Sequence, residues 1–412
     1  MKRFFFSGSA LFSVSQGFSS ISNLLIGIGL SRNMSATQFG SVALVLTFIY
    51  FAVSLQRSSI GDSSLIFSPT HPGISRAAVN VTLLTAVSVF AIMTVAHCIF
   101  SSLYPTYLPL LGGVLVAQDG LRYGLVAIKK RMALFVGDIL WVANSGLVLV
   151  LVGSGGLDLR QAIEIWLTIA CGICVFLWLQ FKAAGPSGTS VAEFVRITSR
   201  VSGWSALQFV LGNGSIQAAL TLFALAVGAN NFAGFRATQM VLSPLIVGTL
   251  ALASPLLSFI VSRRETGWSK AQAYVSSAIL GVGVGALGAV AAWQGRWLIE
   301  LIPGAQYVGF RDLLIPGAVA LVFVAANVPI ASSLLSMMKG RSFFMASVGA
   351  TVPTSALIVW AAVVGGLRSA AWAMAFQYAV ITVSCAVALG LAGKRTNARR
   401  SLIQTASTTK AL

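Results

Sequence analysis

The chain has 412 residues, of which 57% are hydrophobic and only 9% charged, with a mean hydropathy of +0.89. Soluble domains carry about 25% charged residues, so that class is excluded. The net charge of +18 would suit nucleic acid, but the cations are scattered through short loops rather than gathered in one patch. That pattern fits anionic lipid headgroups instead.

In chain order, Lys2 and Arg3 precede an apolar run that resembles a signal peptide. The run continues past Leu30 with no small-x-small cleavage site, so it is expected to be a retained first helix. Twelve apolar stretches follow one another: 10–31, 39–56, 79–100, 107–127, 133–153, 161–181, 202–227, 237–260, 271–293, 313–335, 342–365 and 370–393. Each approaches the ~20 residues that a helix needs to cross the hydrocarbon core. They leave no room for a large soluble domain.

The cations alternate with the spans. Twenty of the 27 Lys and Arg lie in the two termini and the even-numbered loops, including Arg57, Lys129, Lys130, Arg131 and Lys182. The odd-numbered loops carry six: Arg32, Arg160, Arg236, Arg296, Arg311 and Arg368. Arg122 alone falls inside a span. By the positive-inside rule both termini are cytoplasmic, and the even helix count agrees.

Near the midpoint, 183–190 reads AAGPSGTS and interrupts the apolar pattern. Val191, Phe194, Val195 and Thr198 then recur at helical spacing opposite Glu193, Arg196 and Arg200, which predicts a short amphipathic helix on the cytoplasmic surface. The alternative is an ordinary loop. SATQFGSVALV after Arg32 and NNFAGFRATQMV after Gly228 are weakly alike at an offset of about half the chain, as a parallel six-helix repeat would produce. The organisation expected is helices 1–6 over 1–182, a linker over 183–200, helices 7–12 over 201–393 and a cytoplasmic tail over 394–412.

Prolines cluster in the second half: Pro244 and Pro255 in helix eight, Pro316 and Pro329 in helix ten, Pro353 in helix eleven. The first half has Pro109 in a comparable position. Such prolines kink membrane helices where neighbours or cavities satisfy the freed backbone. Gly281, Gly283, Gly285 and Gly288 give helix nine a small-residue packing face.

No catalytic or metal constellation is present. Cys171 and Cys174 form C-x-x-C inside an apolar span and read as small packing residues. His71 and His97 stand apart, and no cofactor is expected.

Ionisable residues within spans remain. An ion at mid-bilayer costs about 2.5–3.5 kcal/mol, so such residues face a cavity or a partner. Asp119 and Arg122 are three apart on helix four, on one face. Asp138 and Trp141 share a face of helix five with Asn144 and Ser145. Arg122 is expected at the central cavity or its cytoplasmic mouth, with Asp119 orienting it toward a lipid pyrophosphate. The alternative is an Asp119–Arg122–Asp138 cluster that pins two helices. Arg57, beside Gln56 and Asp62, is a second phosphate candidate. Gln16, Asn23, Asn213, Gln217, Asn327 and Gln377 place amides in helices one, seven, ten and twelve, suited to sugar hydroxyls or to interhelical hydrogen bonds.

ISNLLIGIGLSRNMSATQFGSVALVLTFIY resembles the first two helices of the polysaccharide (O-antigen/teichoic-acid-type) flippases of the multidrug/oligosaccharidyl-lipid/polysaccharide (MOP) exporter superfamily. AQDGLRYGLVAIKKRMALFVGDILW is similar to their fourth and fifth helices, a likeness carried by Asp119, Arg122, Tyr123, Asp138 and Trp141. The 295–344 region, with Gly304-x-x-Tyr307 before a Leu-rich span, is similar to their helix-ten region.

The resemblance implies an all-α polytopic membrane protein, about twelve transmembrane helices in two six-helix lobes around a central cavity. It further implies a flippase, not an enzyme, moving a polyprenyl-pyrophosphate-linked oligosaccharide or related envelope glycolipid to the outer leaflet. Substrate contacts would fall to Arg122, Asp119, Arg57, Asp138, Asn23 and Gln217. Expected partners are membrane lipids, the lipid-linked glycan and glycan-assembly enzymes, in a prokaryotic cytoplasmic membrane. Helices one and two carry few acids, which weighs against cation coupling. A cation-coupled drug exporter and a non-transporting scaffold of envelope assembly are the other readings.

Overall fold

The computed structural model describes residues 8–68, 71, 73–99, 105–153, 157–184, 189–252, 256, 260, 269–337 and 340–409. Among these the chain is helical throughout, with no strand. It is a polytopic membrane protein: eight helical runs are individually long and apolar enough to cross a membrane.

The helices are α1 (Gly8–Asn33), α2 (Ala36–Gln56), α3 (Asp62–Phe67), α4 (Ile74–Ile99), α5 (Leu108–Ala127), α6 (Arg131–Gly153) and α7 (Leu159–Ala184). There follow α8 (Val191–Val227), α9 (Ala229–Ala251), α10 (Lys270–Trp293), α11 (Gly295–Leu301) and α12 (Leu314–Ser336). The run Gly340–Thr409 is broken at Gly366, whose φ of 69° leaves the helical region. An unbroken 70-residue helix would be about 105 Å long, far beyond a ~30 Å hydrocarbon core. The chain therefore turns at Gly366, giving α13 (340–365) and α14 (367–409).

Helix starts follow local chemistry. Ser35 and Ser269 each form a capping box with the glutamine three residues on, and Ser190 caps α8 through the Glu193 amide. Packing follows small residues, because lipid tails supply no hydrophobic drive between helices. A Cβ on Gly120 would run into Thr82 of α4, and one on Gly124 would meet Val79 and Phe181. Gly281, Gly285 and Gly288 of α10 lie against Val322, Ala326 and Ala318 of α12.

α1 packs on α6, and α5 packs on α4 and α7; α12 packs on α10 and on the α13–α14 run, which also covers α8. The halves of the chain meet chiefly along α2 and α9, with α1 also touching α9. Gly40 permits this: a Cβ there would collide with the Ala229 carbonyl.

Three boundaries differ from the sequence reading. The helix expected to stop at Gln56 continues through a π-helical turn, Arg57–Gly61, into α3. The serines read there as loop residues hydrogen-bond backward instead: Ser58 and Ser59 donate to the Leu55 carbonyl, and Ser64 to that of Gly61. The eighth span begins at Ala229 rather than near 237, because Gly228, at φ 83°, turns the chain alone. Residues 191–200 are the first turns of the 37-residue α8 rather than a separate surface helix. Phe194 is buried there against Ile74, Ala77 and Ala78 of α4.

The prolines divide. Pro244, Pro329 and Pro353 lie inside helices, while Pro109 and Pro316 sit in first turns, where a missing N–H costs nothing. Pro255 and the side chain of Gln16 lie outside the described residues.

Candidate functional site

Four charged side chains from the π turn after α2, from α5 and from α6 form a continuous ladder. Arg57, on the π turn, grips Asp119 with both arms: Nη2 to Oδ1 at 2.6 Å and Nε to Oδ2 at 3.3 Å. Arg122 reaches the same Asp119 oxygen at 3.5 Å from Nη1. It closes on Asp138 with Nε to Oδ1 at 2.7 Å and Nη2 to Oδ2 at 3.4 Å. The Arg57 guanidinium also lies over the Tyr123 ring, 5.7 Å from its centre.

Burial separates the two arginines. Arg122 is 0% exposed and Asp138 1%, whereas the Arg57 side chain keeps 30% of its surface. Arg122, expected at a cavity mouth, is thus enclosed between carboxylates of α5 and α6. Bidentate arginine–carboxylate geometry offsets much of the desolvation cost of such a pair. This is the arrangement of the helix-pinning alternative. Beside it Trp141 packs edge-on against Trp166, Ser22 bonds Ser145 at 2.5 Å, and Trp166 Nε1 donates to the Ser145 hydroxyl. This part of the molecule is filled.

Arg236 differs. The sequence reading placed it in a loop, but it lies two turns inside α9 and is half-buried. Its Nη1 donates to Gln239 Oε1 at 2.8 Å, and Tyr50 of α2 lies within electrostatic reach. Among the described residues it pairs with no carboxylate. Arg236 therefore sits on the α2–α9 seam as a half-buried cation with no carboxylate partner among the described residues. The signal available in the sequence was the lone Gly228, able to reverse the chain by itself.

Asn23 and Gln217 are half-buried on α1 and α8, and the Gln217 Oε1 is buried with no hydrogen-bond partner among the described residues. Asn213 and Asn327 converge on open space within the second half. Gln377 instead bonds the Thr351 carbonyl and the Ser355 hydroxyl.

One end of the seam is sealed. Arg32, at the end of α1, donates to the carbonyls of Glu300, Leu301 and Ile302 where α11 stops. Gln306 donates to the carbonyls of Ser31 and Met34, and Tyr307 packs its ring on Phe39. A Cβ added at Gly17 of α1 or at Gly248 of α9 would meet nothing within 4 Å among the described residues.

No protein-family model and no curated protein matches the sequence. Solved structures do match in fold. An inward-facing multidrug resistance MATE family transporter of the MOP superfamily aligns over 93% of this chain and 95% of its own, with TM-score 0.68 and 17% identity. The outward-facing conformation of a multidrug resistance MATE family transporter aligns over 96% of each chain, with TM-score 0.63 and 15% identity. A MOP superfamily transporter from Pyrococcus furiosus, described as having a binding pocket of reverse polarity that suggests a different function, gives TM-score 0.65 at 15% identity over 95% of this chain and 96% of its own. The fold is that of the MATE transporters, and these neighbours are transporters rather than enzymes.

Proposed function

We propose that the protein is an alternating-access flippase that moves a polyprenyl-pyrophosphate-linked oligosaccharide, or a related envelope glycolipid, from the inner to the outer leaflet. Arg236 carries this reading. A half-buried cation that meets no carboxylate among the described residues is costly, and an anionic substrate headgroup at the α2–α9 seam offsets that cost. Fold neighbours named as inward- and outward-facing support a mechanism of alternating access.

In this reading the chain forms two six-helix lobes, 1–182 and 201–393, in the cytoplasmic membrane with both termini inside. The Arg32 seal then closes the outer side, and the substrate enters from the cytoplasm. The carboxylates buried among the described residues, Asp119 and Asp138, are both held by arginines. They organise helices and do not take up a coupling cation.

The second reading, a cation-coupled drug exporter, draws on the multidrug resistance named in the neighbours' descriptions. One experiment separates the two. In proteoliposomes, the wild type translocates a fluorescent polyprenyl-pyrophosphate oligosaccharide, and Arg236→Gln does so about tenfold more slowly while remaining folded, with Arg236→Lys between them. Normal translocation by a stable Arg236→Gln protein refutes the proposal. Efflux of ethidium without glycolipid movement establishes the drug exporter.

A further inference from the structure

Two chambers of 390 and 320 Å³ lie within the second half and share Asn213, Leu250, Val324 and Tyr378 in their walls, so they adjoin. Each falls within the ~300–1,000 Å³ typical of small-molecule sites. Among the described residues, neither wall contains Lys, Arg, His, Asp or Glu. An ion entering this space would shed its water and meet no counter-charge, which disfavours charged ligands.

The polar groups that line the space are amides and hydroxyls, which can both donate and accept. Some are already engaged: the Thr351 hydroxyl donates to the Ser347 carbonyl at 2.7 Å. Asn327 is different. Its Oδ1 is buried and accepts no hydrogen bond among the described residues. An unpaired buried acceptor is costly, and a turn of the Asn327 amide at the chamber wall lets a donor that a ligand brings satisfy it.

Gln239 supplies the complement. Arg236 donates to its Oε1 at 2.8 Å, which fixes the amide with its oxygen toward the guanidinium. The Nε2 group, with two N–H donors, is left for the chamber whose wall Gln239 forms. The seam cation and the uncharged chamber are therefore joined through one side chain. An anionic group at Arg236 and a neutral group in the chamber can belong to one ligand.

We infer that the second half holds a binding chamber for an uncharged, polyhydroxylated group, bounded by Asn213, Gln239, Asn327 and Tyr378. Its neutrality rests on the chamber walls. Its identity as the sugar portion of the transported glycolipid rests on the function proposed above.

The test uses the full chain in nanodiscs, with its four cysteines replaced by alanine and Ser347→Cys as a reporter in the chamber wall. The probes are maltotriose, sodium pyrophosphate and tetraphenylphosphonium, each scored by the rate of maleimide labelling. Saturating maltotriose slows labelling about tenfold, and the other two do not. Asn327→Leu and Tyr378→Phe each weaken the apparent maltotriose affinity about tenfold, the effect of one lost hydrogen bond. The second variant removes a single hydroxyl and stands if the first fails to fold.

Protection by pyrophosphate or tetraphenylphosphonium in place of maltotriose overturns the inference, as does no protection by any probe. The two proposals fail separately. Slowed translocation by Arg236→Gln without maltotriose protection leaves the anion site and removes the chamber. Maltotriose protection beside normal Arg236→Gln translocation does the reverse.

Discussion

Replacing Arg122 with methionine removes the only guanidinium that reaches both Asp119 and Asp138 in the ladder described. Asp138 is 1% exposed, so water cannot take the place of the two bonds it loses. Breaking one side of a buried ion pair costs about 3–5 kcal/mol. At 1.4 kcal/mol per decade, that lowers the folding equilibrium roughly 10²- to 10³-fold or more. Arg57→Met costs less, about 1.5–3 kcal/mol, because Asp119 keeps Arg122 and the Arg57 side chain is already 30% exposed. The double variant Arg122→Met/Asp138→Leu recovers much of the loss, since an apolar pair leaves no unbalanced charge. Steric-trap unfolding in bicelles reads all three. An Arg122→Met protein as stable as wild type but unable to translocate glycolipid would refute the reasoning, since the arginine would then act on substrate.

Arg32→Ala removes three donor contacts from the Arg32 seal and shifts the protein toward the open state at that end. Double electron–electron resonance between labels at Thr37→Cys and Gly309→Cys records longer distances, and an unchanged distribution counts against the seal. Gly40→Ala places a methyl against the Ala229 carbonyl and lengthens the same distance, whereas Gly248→Ala, with open space around it, leaves it unchanged. Phe194→Ala undocks the start of α8 at a cost of about 3–5 kcal/mol, seen as faster hydrogen exchange at 191–200. Exchange as slow as wild type would show that Phe194 does not hold it.

Eight membrane spans were legible because each is a run of apolar residues long enough to be recognised alone. Their ends were less so where polar residues stay helical. Ser58, Ser59 and Ser64 satisfy themselves on the preceding turn, so a serine-rich stretch that reads as loop extends a helix. The Arg122–Asp119 spacing was visible on one helix, but the grip of Arg57 on Asp119 depends on where α2 meets α5, which no local pattern encodes. Asn213 and Asn327 stood out as amides in apolar spans. That they face one space follows only from the approach of α8 to the helices around α12.

The continuity of α8 has a mechanical consequence. At 37 residues it is a rod about 55 Å long, and its first turns are fastened to α4 while its later turns pack against the α13–α14 run. The midpoint of the chain is therefore a lever rather than a slack tether. A tilt of one half must flex this rod, and the pliable place is Gly212-Asn213-Gly214, where two glycines in three residues weaken the helix and no neighbour comes closer than 3.8 Å to where their Cβ atoms would be among the described residues. Asn213 stands between those glycines and in the wall of both chambers. Flexing the lever there moves the same residue that shapes the chamber, so tilt and grip change together.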